Sequence, residues 1–197
     1  MSNILVFDTQ KEGYGLEPPK PTKIANFKLV ENQHSVLREV LPEFDFTNPP
    51  VNPNAFASAL VETCKQENGL GLSANQCGFK HRVFVMGAKE QYVAFFNPKI
   101  IWQSEEKVKM MEGCLSFPLL ALSIERPETI EAEYQDFNGV KRVVKLNGLS
   151  ARCFQHELDH MNGILYTSRI GSVSLKMAMD KRKKIMRMMK AKNGNTR

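Results

Sequence analysis

The chain is 197 residues long, 42% hydrophobic and carries a formal charge of +6 at pH 7. That suits one globular core, with no internal repeat and no apolar run long enough to cross a membrane. Residues 1–10 lack the charge and apolar block of a signal peptide. The four scattered cysteines form neither a disulfide framework nor a CxxC zinc ribbon, so a reducing, cytoplasmic setting is expected.

In chain order, residues 1–27, with Pro18, Pro19 and Pro21, carry no readable element. A first helix is expected over 53–66: Asn52 can cap it, Pro53 opens it, Phe56, Leu60 and Cys64 share a face, and Gly69 stops it. The following Gly69-Leu70-Gly71-Leu72-Ser73-Ala74-Asn75-Gln76 permits close backbone approach. It lacks the lysine and spacing of a phosphate loop and reads as a tight connection. Residues 82–86, 92–96, 129–134 and 140–145 are rich in β-branched and aromatic side chains and read as strands, with a hairpin turn at Asn138-Gly139. A second helix begins near Leu149, with Ser150 available to cap it, and Gly163 closes it. The class is α+β, with antiparallel sheets packed around this central helix.

The second helix carries His156-Glu157-Leu158-Asp159-His160. Residues four apart share a helical face, so both imidazoles project to one side and can chelate one divalent metal ion. Such an ion lowers the pKa of its bound water to about 7, and Glu157 stands where it can take the proton. A metal-dependent hydrolase is therefore expected, and a buried His-Glu-His face without such a partner would be costly. The usual third ligands are missing: beyond Met161 the chain has no histidine and only Asp180 as an acid, and Tyr166 stands where one peptidase class has its third histidine. The third ligand must lie upstream, among His34, His81, the cysteines and the carboxylates. Cys114, in Glu112-Gly113-Cys114-Leu115-Ser116, is the favoured choice, with Gly113 allowing close backbone approach.

Together, Gly69 to Gln76, Glu112 to Ser116, and Gln155 to Gly163 resemble, in this order, the three motifs of the peptide deformylase family, and the likeness extends over about residues 36–169. The resemblance implies the same α+β arrangement and makes Cys114, His156 and His160 the metal ligands and Glu157 the general base and acid. It gives the developing oxyanion to the Gln76 side chain and the Leu115 backbone N–H, and backbone contacts along an extended peptide to Leu70, Gly71 and Gly113. Cys153 would help line the pocket for the substrate's methionine, and Arg126 would support the cysteine loop by pairing with Glu112. The implied substrate is an N-formylmethionyl peptide, which releases formate, and the implied native ion is Fe2+. A thiolate with two imidazoles also suits Zn2+, Ni2+ or Co2+. Departures include Ser73 for the usual alanine, Met161 for the usual leucine, and Asn32-Gln33-His34, which lacks the usual Pro-Asp.

The charge is concentrated at one end. From residue 173 onward there are nine Lys or Arg and one acid, leaving 18 basic and 20 acidic residues elsewhere. Residues 1–172 are therefore read as one catalytic domain of nearly balanced charge, and 173–197 as a basic, helical tail. Leu175, Met179, Ile185, Met186 and Met189 give the tail a rough apolar stripe, which suits a helix docked on the body. Its Lys and Arg residues also suit contact with ribosomal RNA. An RNA- or ribosome-binding protein with a structural metal is the alternative, but such sites are normally closed by four ligands and only three are evident here.

Overall fold

The computed structural model describes residues 26–89 and 91–194, so nearly all of the proline-bearing 1–27 segment lies outside the described residues. The first helix, α1 (Pro53–Gln66), starts as its sequence dictates: Pro53 fills the first helical position and Asn52 Oδ1 accepts from the Ala55 N–H at 2.9 Å. Its end differs from expectation. Asn68, at φ +55°, takes the left-handed position, with Asn68 N–H on the Lys65 carbonyl and Gly69 N–H on the Cys64 carbonyl. Asparagine tolerates that conformation, so the stop is Asn68 and not Gly69. Gly69 is needed for space, because a Cβ there would lie 2.8 Å from Leu115 Cδ1.

Among the described residues, seven strands follow the expected antiparallel plan. They are β1 (Gly71–Ser73), β2 (Val83–Ala88), β3 (Gln91–Gln103), β4 (Lys107–Glu112), β5 (Leu122–Pro127), β6 (Thr129–Gln135) and β7 (Lys141–Asn147). Five form a sheet in the order β1-β2-β3-β6-β7, and β4 and β5 pair separately. The expected strands are present, but β3 runs on through two register shifts to thirteen residues. The β6–β7 hairpin turns at Gly139, at φ +79°, as Asn138-Gly139 predicts, and Asp136 Oδ1 organises the loop through the N–H groups of Asn138 and Val140. The sequence reading lacked β1, β4 and β5. In β4 and β5, buried positions fall to the charged Glu112 and Arg126, which hides the apolar alternation.

The five-stranded sheet is buried on both faces at β2, whereas β6 and β7 leave one face open. Along β2, Val83 and Val85 face α1 with Phe56, Leu60 and Cys64, whereas Phe84 and Met86 face the second helix, α2 (Gly148–Met161). This period-2 division makes Val83 to Met86 a continuous buried run. Phe154 of α2 meets Phe84 and Phe95 edge-on, with centroids 5.1 and 5.3 Å apart. Truncating such a ring costs about 3–5 kcal/mol.

Helix α2 begins one turn earlier than Ser150 capping would require. Asn147 holds the cap position without a side-chain bond, and Ser150 is buried inside the helix, so the capping expectation for Ser150 is corrected. The far end is as predicted: Gly163, at φ +68°, donates to the His160 carbonyl while Ile164 donates to that of Asp159. A third apolar cluster, of Phe117, Leu120, Leu122, Ile124 and Tyr166, supports the loop after β4. Leu175, Ala178 and Met179 of the third helix, α3 (Ser172–Gly194), pack against it. The distal part of α3 keeps Met186, Met188 and Met189 exposed.

Candidate active site

His156 and His160 stand one turn apart on α2, with ring centroids 5.2 Å apart. The turn after β4, closed by Phe117 N–H on the Cys114 carbonyl, brings Cys114 Sγ to 3.3 Å from His160 Nε2. One ligand atom from each of Cys114, His156 and His160 lies within 4.8 Å of the others. Small adjustments bring such atoms within the bond lengths of about 2.0–2.3 Å that thiolate and imidazole make to one ion. The two other upstream histidines are engaged elsewhere. His34 Nδ1 caps the turn Ser35–Arg38, and His81 packs among Phe44, Phe56 and Phe79.

The ligand-bearing residues rest on a buried charged network. Glu112 accepts from Arg126 Nε at 2.6 Å, Arg126 Nη2 at 2.9 Å and Arg152 Nη1 at 2.9 Å, and lies 3.0 Å from His156 Nδ1. Arg126, 2% exposed, also bonds Asp159 at 2.7 Å, and Asp159 in turn pairs with Arg169. The expected Arg126–Glu112 pair is therefore present, and sequence reasoning missed Arg152, Asp159 and Arg169. The available signal was Arg152, which sits four residues before His156 on the same helical face.

Electrostatics fit a cation. Burial opposes a charge on His156, but Cys114 and Glu112 outweigh it and carry its pKa up to about 10. A proton is thus favoured where a divalent ion would place its charge. Burial, with His156 and Arg126 nearby, holds His160 well below the usual imidazole value, in the neutral form that ligates metal. His160 Nδ1 and Glu157 Oε2 are buried polar atoms without a hydrogen-bond partner among the described residues. Burial pushes the Glu157 carboxyl up to about 7, against attraction from His156 and Arg126 and with repulsion from Glu112 and Asp159. The thiol, the two imidazoles and the unpartnered carboxylate suit a catalytic divalent ion better than a closed structural one.

A cavity of about 520 Å³ opens beside these groups. Leu70, Gly71 and Gly113, expected along a peptide, and Cys153, expected beside its methionine, all line it, as do Gln76, Cys114, Leu115, His156 and Glu157. His160, fully buried, does not line it. Gly71 is required here, since a Cβ would come 2.5 Å from Glu157 Oε1. Gly113 differs from expectation: apart from its two chain neighbours, no atom of the described residues lies within 4 Å of where its Cβ would be, so no described segment takes the room it leaves. Gln76 Nε2 points at the cysteine turn, 3.0 Å from Ser116 Oγ and 3.5 Å from Cys114 Sγ, while its Oε1 accepts from Ser73 N and Oγ. Ser73 thus orients Gln76, a role the sequence alone did not disclose.

Comparison with known proteins gives a consistent answer. Residues 26–176 match the family model described as polypeptide deformylase. The chain is 38% identical over 141 residues to a peptide deformylase of Wolbachia from Brugia malayi, covering 65% of this chain and 79% of that one. It is 36% identical over 149 residues to the peptide deformylase of Rhizobium meliloti, covering 73% and 84%. A crystal structure of the Synechococcus elongatus peptide deformylase with actinonin superposes with a TM-score of 0.74 at 32% identity, covering 80% of this chain and 88% of that chain.

Proposed function

Because the chain belongs to the polypeptide deformylase family, we propose that it removes the formyl group from the initiator methionine of nascent peptides by metal-assisted hydrolysis, with Glu157 moving the proton. The observation that carries this reading is Glu157, with Oε2 unpartnered among the described residues, beside Cys114, His156 and His160 at the wall of a cavity large enough for a peptide end.

Cys114, His156 and His160 would hold one divalent ion, Fe2+ in our proposal, with Zn2+, Ni2+ or Co2+ also suited to the donors. When bound, the ion supplies Lewis acidity and brings a coordinated water to a pKa of about 7. The chain's own residues do the rest. Gly71 and Gly113, with Leu70, receive the extended peptide through backbone hydrogen bonds, as an added strand beside β1. The methionine side chain enters the apolar space beside Cys153. Glu157, poised near neutrality by burial, takes a proton from water and delivers it to the departing amine. Gln76 Nε2 and the Leu115 N–H stabilise the oxyanion that forms as the carbonyl is attacked. Glu112, fixed by two arginines, orients His156 from behind.

The same reading gives catalysis to residues 1–172 and ribosome contact to the basic segment Val173 to Arg197. No helix among the described residues is long and apolar enough to cross a membrane, and we place the reaction in the cytoplasm, where formylated chains emerge. Mass spectrometry under anaerobic conditions tests the activity. Formyl-Met-Ala-Ser should yield formate and intact Met-Ala-Ser, and acetyl-Met-Ala-Ser should react far more slowly. Cleavage within Met-Ala-Ser, or equal rates for both acyl groups, would overturn the proposal.

A further inference from the structure

Three large apolar side chains at the cavity wall stay open to solvent: Leu70, Met111 and Leu119, at 43%, 65% and 48% exposure. A single exposed apolar residue is ordinary. Three that line one cavity, contributed by three separate segments of chain, exceed scattered exposure, and clustered apolar exposure marks contact sites.

Leu119 holds its place at a conformational cost. Phe117 to Leu120 form a turn closed by the Leu120 N–H on the Phe117 carbonyl at 3.2 Å, with Pro118 second and Leu119 third at φ +65°. That third position, with positive φ, is the one a type II turn gives to glycine or asparagine. A bulky side chain there is strained. The turn is fixed from below by Phe117 and Leu120 in the cluster around Tyr166, and Arg182 Nε of α3 donates to the Pro118 carbonyl at 2.8 Å. These contacts use the neighbours of Leu119, whose own side chain belongs to none of the three core clusters. Glycine or asparagine would make the turn at lower cost, so fold stability does not account for a leucine here.

We propose that Leu119 is a specificity-determining residue. Together with Leu70 and Met111 it forms an apolar lip that favours substrates with bulky apolar side chains in the two positions after the methionine. The inference rests on the deformylation reading of the same cavity. A peptide whose formyl group lies at Cys114 and whose methionine lies beside Cys153 must leave past the exposed part of the wall. There its next side chains meet carbon rather than charge.

The test compares kcat/KM for formyl-Met-Leu-Leu-Ser and formyl-Met-Asn-Asn-Ser on the full-length, metal-loaded protein. The parent should favour the leucine peptide about tenfold, equivalent to about 1.4 kcal/mol, mainly through KM. Leu119→Asn and Leu119→Gly both suit the left-handed backbone, so they should fold and melt no lower than the parent. In each, the preference should shrink to within about twofold. Val143→Asn, which alters an exposed apolar residue on β7, should keep the parental preference. A parent without preference, or Leu119 variants that retain it, overturns the role of Leu119 and leaves deformylation standing. Absence of formate from both peptides overturns the deformylation reading and this inference with it.

Discussion

Replacing Glu112 by glutamine tests whether the buried network holds the site together. The carboxylate accepts three arginine hydrogen bonds and lies against His156. Glutamine keeps the shape but removes the charge and turns an amide group toward guanidinium donors. Removing one partner of a buried ion pair costs about 3–5 kcal/mol. The lower end applies, because Arg126 keeps Asp159, and Arg152 keeps the carbonyls of Ile124 and Val108. At roughly 2–4 °C per kcal/mol for a chain of this size, Tm at pH 7 should fall by about 6–12 °C, read by circular dichroism with chelator present. The pH dependence has a definite sign. Burial acts to raise the Glu112 pKa, but Arg126 and His156 outweigh it and hold the group far below its ordinary 4.5. Its contribution is therefore complete above about pH 4.5 and is lost as the pH falls toward the depressed value. The gap between parent and variant should be widest near neutrality and narrow in acid. A gap under about 2 °C at pH 7, or one that is unchanged at pH 3, refutes the reasoning.

Cys114→Ala should lose bound metal and formate release together, whereas Cys64→Ala and Cys77→Ala should keep both; full metal occupancy in the Cys114 variant contradicts its assignment. Glu157→Gln should retain metal while kcat drops at least about a hundredfold, and a metal-loaded variant near the parental rate excludes Glu157 as proton carrier. In Gly71→Ala the new methyl presses on Glu157 Oε1, 2.5 Å away. Displacing a reacting group by about 1 Å costs up to about a hundredfold, so kcat should fall about ten- to a hundredfold with metal content unchanged, and an unaffected kcat shows that the carboxylate position does not matter. Truncation after Ile185 spares Leu175, Ala178, Met179 and Arg182, which contact the body. It should leave short-peptide activity nearly intact and weaken salt-sensitive ribosome binding; unchanged ribosome binding assigns residues 186–197 no such role.

The sequence disclosed those parts of the molecule whose chemistry is local. The spacing of His156 and His160 is a property of one helix, and Asn52-Pro53 and Gly163 act within a turn of themselves. Cys114 became legible because the histidines lacked a downstream partner. Glu112 and Arg126 broke the alternation that would have revealed β4 and β5, since their burial is compensated by partners far along the chain. Arg152 reaches back 40 residues to Glu112, and its place four residues before His156 is the one local mark that it faces the site. Asn68 took the helix stop because a neighbouring glycine was needed elsewhere, a competition that only packing decides. Leu119 was equally illegible, because a leucine at positive φ contradicts its own turn chemistry.

Strand β1 is only three residues long and sits at the end of its sheet, paired to β2 on one side alone. Its first residue, Gly71, is also the one whose missing side chain makes room for Glu157. In the proposed reaction, the residue that aligns the incoming chain therefore lies in direct contact with the group that moves the proton. No long lever separates the two, so an error in docking and an error in proton transfer are one and the same displacement. The enzyme would measure position from the end of a peptide with a gauge one residue wide, and any change to that residue recalibrates both readings at once.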